Sequence, residues 1–247
     1  MRETRLLMGM PITVEIADPA SAGLVDEVFG YFAAVDERFS TYKTTSEISA
    51  LNQGHLTLDE ASAEMRQVLD IAQRTKVQSA GYFDIRRPDG ALDPSGIVKG
   101  WAIRNAADLI AATGARNFYV EAGGDIQTSG RNGEGGEWIV GIRNPFNERE
   151  IIKAVKLSGK GIATSGNYAR GRHIYDPHRP QSAIANIVSL SVIGPDVLEA
   201  DRFATAAFAM GLDGIYFIQN LPDLEAYMID AAGVATFTTG FGAYVTQ

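Results

Sequence analysis

The stretch Glu199-Ala-Asp-Arg-Phe-Ala-Thr-Ala-Ala207 has helical character and holds the most telling pair of polar groups in the chain. Asp201 and Thr205 are four residues apart, so on a helix their oxygens leave the same face one turn apart. A carboxylate and a hydroxyl are hard oxygen ligands, suited to a Mg²⁺ ion that keeps waters and meets substrate phosphates. The small alanines beside them read as leaving room for a ligand. In the competing reading Thr205 back-bonds to the Asp201 carbonyl and the carboxylate is simply solvated. Spacing alone leaves both open.

Three other segments carry polar residues that their local structure does not demand. Asp93-Pro-Ser-Gly-Ile-Val-Lys-Gly100 is a tight turn running into a helix, whose free N–H groups can face an anion with Lys99 adding a point charge. It lacks the glycine spacing of a Walker loop, and a plain capped turn is the alternative. Ala122-Gly-Gly-Asp-Ile126 reads as a turn between strands. Ala163-Thr-Ser-Gly-Asn-Tyr168 places a small-residue loop ahead of His173-Ile-Tyr-Asp-Pro177, where a neutral imidazole can serve as a base or be merely structural. The other two histidines, His55 in an Asn-Gln-Gly-His turn and His178 just after Asp176, read as structural or exposed.

The elements that must position these groups follow from periodicity. Ile12 to Ile16 alternates and is β-branched, as a strand requires. After Pro19, a helix presents Val28, Phe32, Val35 and Phe39 as a core stripe. A second helix is expected from Asp59 to Ser79, with Met65, Val68, Leu69 and Ala72 inward. A third runs from near Lys99 to Gly114, a residue suited to ending it. Strands are expected at 117–120, 138–142, 152–157 and 187–192, with the glycine-rich 129–136 as a hairpin tip. Pro195 opens a helix that closes at Gly211, followed by a short helix and strands at 226–229 and 234–237. Helices are grouped between strand meanders, which favours an α+β fold with mainly antiparallel sheet and flanking helices over a doubly wound one. No linker or repeat divides residues 1–247, which read as one domain.

Composition narrows the chemistry further. Of 247 residues, 30 are acidic and 22 basic, for a net charge of −8, which argues against a duplex nucleic-acid partner. The absence of cysteine excludes disulfides, thiolate metal sites and cysteine nucleophiles. No leader pattern opens the sequence and no apolar run is long enough to span a membrane, so a cytoplasmic protein is expected.

Taken in order, these segments resemble the ApbE family of flavin transferases. The resemblance runs through Met8-Gly-Met10, Phe39-Ser-Thr-Tyr-Lys43, Ser46-Glu-Ile-Ser49, Leu51-Asn52, Gly81-Tyr-Phe-Asp84, Asp93 to Gly100, Gly123-Gly-Asp-Ile126, Thr164-Ser-Gly166, His173 to Pro177 and Ala200-Asp-Arg-Phe-Ala-Thr205. It implies an ApbE-like fold with FAD in a cleft between two halves. It also implies Mg²⁺ on Asp201, Thr205 and the Gly96 carbonyl. Met8, Tyr42, Asn52, Tyr82, Phe83, Asp84, Asp93, Lys99 and Tyr175 fall where the family contacts FAD, and His173 where it takes the acceptor's proton. The implied activity moves FMN from FAD to a threonine or serine hydroxyl of a partner flavoprotein, releasing AMP. FAD hydrolysis and FAD storage are the alternatives. The segment between Asp84 and Asp93 is far shorter than is common in the family, so part of the usual cleft wall is expected to be missing or replaced. No copy of the family's acceptor motif, ending in Ser/Thr-Gly-Ala-Thr, occurs in the chain, so the acceptor is expected to be another protein.

Overall fold

The protein is described by a computed structural model covering residues 1–19, 22–166 and 174–246. The chain opens with a hairpin, β1 (Arg2–Leu7) and β2 (Met10–Ile16), and then forms α1 (Ala22–Phe39), α2 (Glu47–Asn52), α3 (Ala63–Gln78) and α4 (Ser95–Ala112). Six strands follow: β3 (Phe118–Ala122), β4 (Asp125–Ser129), β5 (Trp138–Asn144), β6 (Asn147–Leu157), β7 (Gly161–Gly166) and β8 (Ile187–Gly194). Helices α5 (Val197–Ala209) and α6 (Gly214–Gln219) and strands β9 (Glu225–Asp230) and β10 (Ala235–Phe237) complete it.

Eight strands form one antiparallel sheet in the order β1-β2-β3-β4-β7-β8-β9-β10, while β5 and β6 pair only with each other. This is the α+β, mainly antiparallel class expected. On one face of the sheet, Ile12, Val14 and Ile16 of β2 point with Phe118 and Val120 into a core shared with α1, α3 and α4. The α1 stripe behaves as its period predicts, with Val28, Phe32, Val35 and Phe39 all buried. Further along, α5 and α6 pack on β7, β8 and β9. The opposite face of β7–β9 is covered by the β5–β6 hairpin through Ile142, Val155 and Leu157.

Several boundaries differ from the sequence reading for local reasons. Helix α3 starts at Ala63 because the Ser62 hydroxyl accepts the Met65 N–H and caps it there. Its buried face is Met65, Val68, Ile71, Ala72 and Thr75, with Leu69 only partly covered. Helix α4 starts at Ser95, which places Lys99 in its second turn. The 129–136 stretch does turn, with the Asn132 carbonyl accepting from Gly135 N, but it joins β4 to β5 across two different sheets and is no hairpin tip. The Ala122–Ile126 turn is a true hairpin, β3–β4, and both central glycines have positive φ, 58° and 96°.

Candidate active site

Helices α4 and α5 meet unusually closely. A Cβ on Gly100 would lie 2.8 Å from the Asp201 Cβ and 3.0 Å from the Leu198 backbone. Only glycine lets the α5 backbone come this near, and the approach drives the Asp201 carboxylate against the second turn of α4. There Asp201 Oδ2 accepts the Gly100 N–H at 2.8 Å, and Oδ1 lies 3.5 Å from Lys99 Nζ. The alanines flanking this pair do not open space. Ala200 and Ala204 are fully buried against β7 and β8, and their small size lets α5 lie low on the sheet. Gly96 is closely packed too: a Cβ there would press on the Phe83 ring at 3.0 Å and meet the Thr205 methyl at 3.5 Å.

A second carboxylate faces the first. The β3–β4 turn delivers Asp125, 1% exposed, so that Oδ1 accepts the Thr164 N–H at 3.0 Å and Oδ2 sits 2.5 Å from Lys99 Nζ. Lys99 therefore bridges two buried carboxylates that belong to different layers. Asp125 Oδ2 has this ion pair but no hydrogen bond of good geometry. Burial pushes the Asp201 carboxyl well above the usual carboxylate range; the Lys99 ammonium opposes the rise and the Asp125 charge adds to it. The solvated carboxylate of the competing reading is thus excluded, since Asp201 is 3% exposed. Thr205 stands one turn further along α5, with its hydroxyl 3.5 Å from that of Ser165 on β7.

Lys99, Ser165, Asp201 and Thr205 stand in the wall of a cavity of about 1150 Å³, whereas Asp125 and Gly100 do not line it. Tyr82, Phe83, Asp84, Asp93, Gly96, Lys99, Tyr175, Asp201 and Thr205 all line it. The turn after α3, with positive φ at Ala80 and Gly81, swings Tyr82–Asp84 into the wall. His178 braces that turn, its ring edge-on to Tyr82 and its Nε2 3.0 Å from the Ala80 carbonyl, so its role is structural as expected. Asp84 is held by Lys76 at 2.6 Å, and Asp93 Oδ1 accepts the Ser95 N–H at the start of α4. The Tyr175 hydroxyl is pushed up by burial and by the nearby Asp84 charge.

Met8, Tyr42 and Asn52 are not among the lining residues. Tyr42 is 97% exposed, and Met8 packs partly against the helical core. Asn52 clamps the Leu92 backbone from both sides, at 2.9 Å and 2.7 Å. That clamp closes the short 85–93 segment, where Arg86 and Leu92 bridge across a turn through Gly90. Ile85 and Arg87 of this small turn stand in the cavity wall. His173 lies outside the described residues.

Sequence reasoning missed Asp125 as a site residue because Gly-Gly-Asp is what an ordinary turn contains. No group of three or more His, Asp or Glu side chains converges among the described residues. The donors present are oxygens: the Asp201 carboxylate, the Thr205 and Ser165 hydroxyls, and the Asp125 oxygen that lacks a hydrogen bond. Such a set fits a hard cation with waters and phosphate oxygens completing its shell, and does not fit a thiolate- or imidazole-bound metal. No helix among the described residues is long and apolar enough to cross a membrane.

Comparison with known proteins agrees with this architecture. The sequence is 33% identical over 161 residues to the FAD:protein FMN transferase of Escherichia coli K12, a match covering 62% of this chain and 46% of that protein. The chain thus spans about half the length of that relative. The Haemophilus influenzae FAD:protein FMN transferase is 25% identical over 267 residues, covering 83% of this chain and 77% of its own length. In structure, the flavin transferase ApbE from Vibrio cholerae superposes with a TM-score of 0.86 at 23% identity, over 99% of this chain and 98% of that one. The ApbE protein from Thermotoga maritima gives 0.87 at 18% identity, over 100% and 99%. These two likenesses establish the fold. The sequence also matches the profile of the ApbE family over residues 8–87 and 85–228, which together span most of it, and the chain belongs to that family.

Proposed function

We propose that the protein is a Mg²⁺-dependent FAD:protein FMN transferase, moving FMN from FAD to a threonine or serine hydroxyl of a partner flavoprotein and releasing AMP. The observation that carries this reading is the cluster of Lys99, Asp201 and Thr205 in the wall of a cavity of about 1150 Å³, with Asp125 paired to Lys99, in an ApbE-family chain. A pocket of this size exceeds the roughly 300–1000 Å³ of ordinary small-molecule sites and suits a dinucleotide.

In the transfer, the acceptor oxygen bonds to the phosphorus of the FMN half. The bond from that phosphorus to the bridging oxygen breaks, AMP leaves with the electron pair, and the hydroxyl proton passes to a base. His173 is the proposed base, a neutral imidazole being suited to the task near pH 7. Asp201, Thr205 and the Gly96 carbonyl would hold Mg²⁺, with Asp125 and Ser165 close behind them. When bound, the ion supplies charge neutralisation and a template for the pyrophosphate. Lys99, between two carboxylates, offers its ammonium to phosphate oxygens. Tyr82, Phe83 and Tyr175 give the flavin or adenine ring aromatic walls. Asp84 and Asp93, fixed by Lys76 and by the start of α4, are proposed to take polar FAD groups. Met8, Tyr42 and Asn52 are proposed FAD contacts on the family resemblance alone.

The test is intact-mass spectrometry of an acceptor flavoprotein incubated with the protein, FAD and Mg²⁺, with EDTA as control and AMP followed in parallel. The expected result is a metal-dependent mass gain of one FMN on the acceptor with matching AMP. AMP and free FMN without that gain mean a hydrolase, and bound FAD with neither product means a flavin-binding protein.

A further inference from the structure

Strand β5 walls the cavity in a distinctive way. Every residue from Trp138 to Arg143 lines the cavity. Side chains alternate along a strand, so a strand that lines a cavity by one face contributes every second residue. An unbroken run drawn from both faces means that the backbone edge itself looks into the space. Among the described residues, β5 pairs with β6 alone and has no main-chain partner on its other side.

The other sheet edges are guarded. Strand β1 carries charges at Arg2, Glu3 and Arg5, and β10 is only three residues long. From Trp138 to Ile142, β5 has no charge and no proline, and its pairing with β6 stays regular until after Ile142. An apolar, regular, open edge is a template for another strand, and natural sheets seldom leave one without a use.

The occupant is constrained by chemistry. Free N–H and C=O groups alternating at strand spacing match the main chain of an extended polypeptide, and a dinucleotide offers no such repeat. Ile139, 56% exposed, gives that segment an apolar contact. Arg143, at the end of the run, faces the cavity with no ion-pair partner among the described residues, so it complements an acidic residue of the guest. The same cavity continues past Gly123 and Gly124 to Lys99, Asp201 and Thr205. We propose that the open edge of β5 is the docking strand of the acceptor protein, whose extended segment adds beside Trp138–Ile142 and leads its hydroxyl into the catalytic end. This rests on the transferase reading.

Hydrogen exchange read by mass spectrometry tests it on the full chain loaded with FAD and Mg²⁺. The probe is an acceptor flavoprotein with its target threonine changed to alanine, so that the complex persists without turnover. Amides at alternate positions of 138–142 should slow at least about tenfold on adding the probe, as newly formed main-chain hydrogen bonds require. Transfer to the native acceptor with β5 exchange unchanged overturns the proposal and spares the transferase reading. Failure of the native acceptor to gain FMN overturns both. Independently, Ile139→Lys should raise KM for the acceptor about tenfold more than KM for FAD. Equal rises in both constants, or a fall in kcat alone, would count against β5.

Discussion

The two ends of the cavity are built on opposite principles. At one end, the half-buried Lys99 lies between the buried carboxylates of Asp125 and Asp201, and each carboxylate also accepts a backbone N–H, Asp201 from Gly100 and Asp125 from Thr164. Each ion here loses several kcal/mol of hydration, and the group tolerates burial because its members compensate one another. At the other end, Trp138 packs edge-on to Tyr119 with ring centres 5.1 Å apart, and the β5 backbone beside it is paired on one edge only among the described residues. On the proposed reading, the polar end would handle phosphate charge and the open edge of β5 would receive the acceptor chain. One cavity would then separate chemistry from recognition.

The sharpest way to break this contrast is to remove the carboxylate on α5. Asp201→Ala should lower transfer about a thousandfold, equivalent to about 4 kcal/mol of barrier. Metal-free thermal stability should fall little, because Lys99 keeps Asp125 as its partner. AMP release assays and a melting curve on one preparation check both halves; retained activity would remove Asp201 from the chemistry.

Lys99→Met should have the next largest effect and act chiefly on stability. It strands two buried carboxylates, at a cost of about 3 kcal/mol, or a fall of about 8 °C in Tm for a chain of this length. Added Mg²⁺ should restore part of that loss if the ion binds the folded carboxylates, since a ligand of the native state alone stabilises it. An unchanged Tm in EDTA would show that the carboxylates do not depend on Lys99.

What the sequence made legible was local. The α1 stripe, the pair Asp201 and Thr205, and the helix opened by Pro195 all follow from spacing within a few turns. Strands β4 and β7 were not legible as strands, because Asp125–Ser129 and Gly161–Gly166 are small and polar, and only their neighbours in the sheet make them strands. Strand β1 escaped because its alternating charges bury no face. The alanines of α5 were misread for a related reason: a small residue signals open space or close packing equally well until its partner is known. Asp125 illustrates the limit most clearly. Its role depends on Lys99 from a helix and Thr164 from another strand, contacts that no local pattern records.

Gly100 is the hinge of the polar end and predicts a smaller effect. Gly100→Ala places a methyl 2.8 Å from the Asp201 Cβ and 3.0 Å from the Leu198 backbone, which cannot rotate away. Helix α5 must shift, at about 2 kcal/mol of stability. The accompanying loss of transfer should exceed that of an equally destabilising core change such as Phe208→Leu, because the displaced atoms belong to Asp201. Equal losses in the two variants would make the α4–α5 contact a matter of packing alone.

The smallest effect belongs to the apolar end and tests whether the two ends are energetically separate. Trp138 Nε1 donates to the Ser129 carbonyl at 2.8 Å, and Trp138→Phe removes that bond for about 1 kcal/mol. The carboxylates that hold Lys99 belong to α5 and to the start of β4, while Ser129, which holds Trp138, ends β4. Urea unfolding of the two single variants and the double should therefore add to within about 0.5 kcal/mol. A coupling larger than that would mean that strain at the catalytic end is felt along β4 at the docking end. The division of the cavity into independent halves would then give way to a single coupled sheet, in which seating the acceptor on β5 also adjusts the position of Asp125.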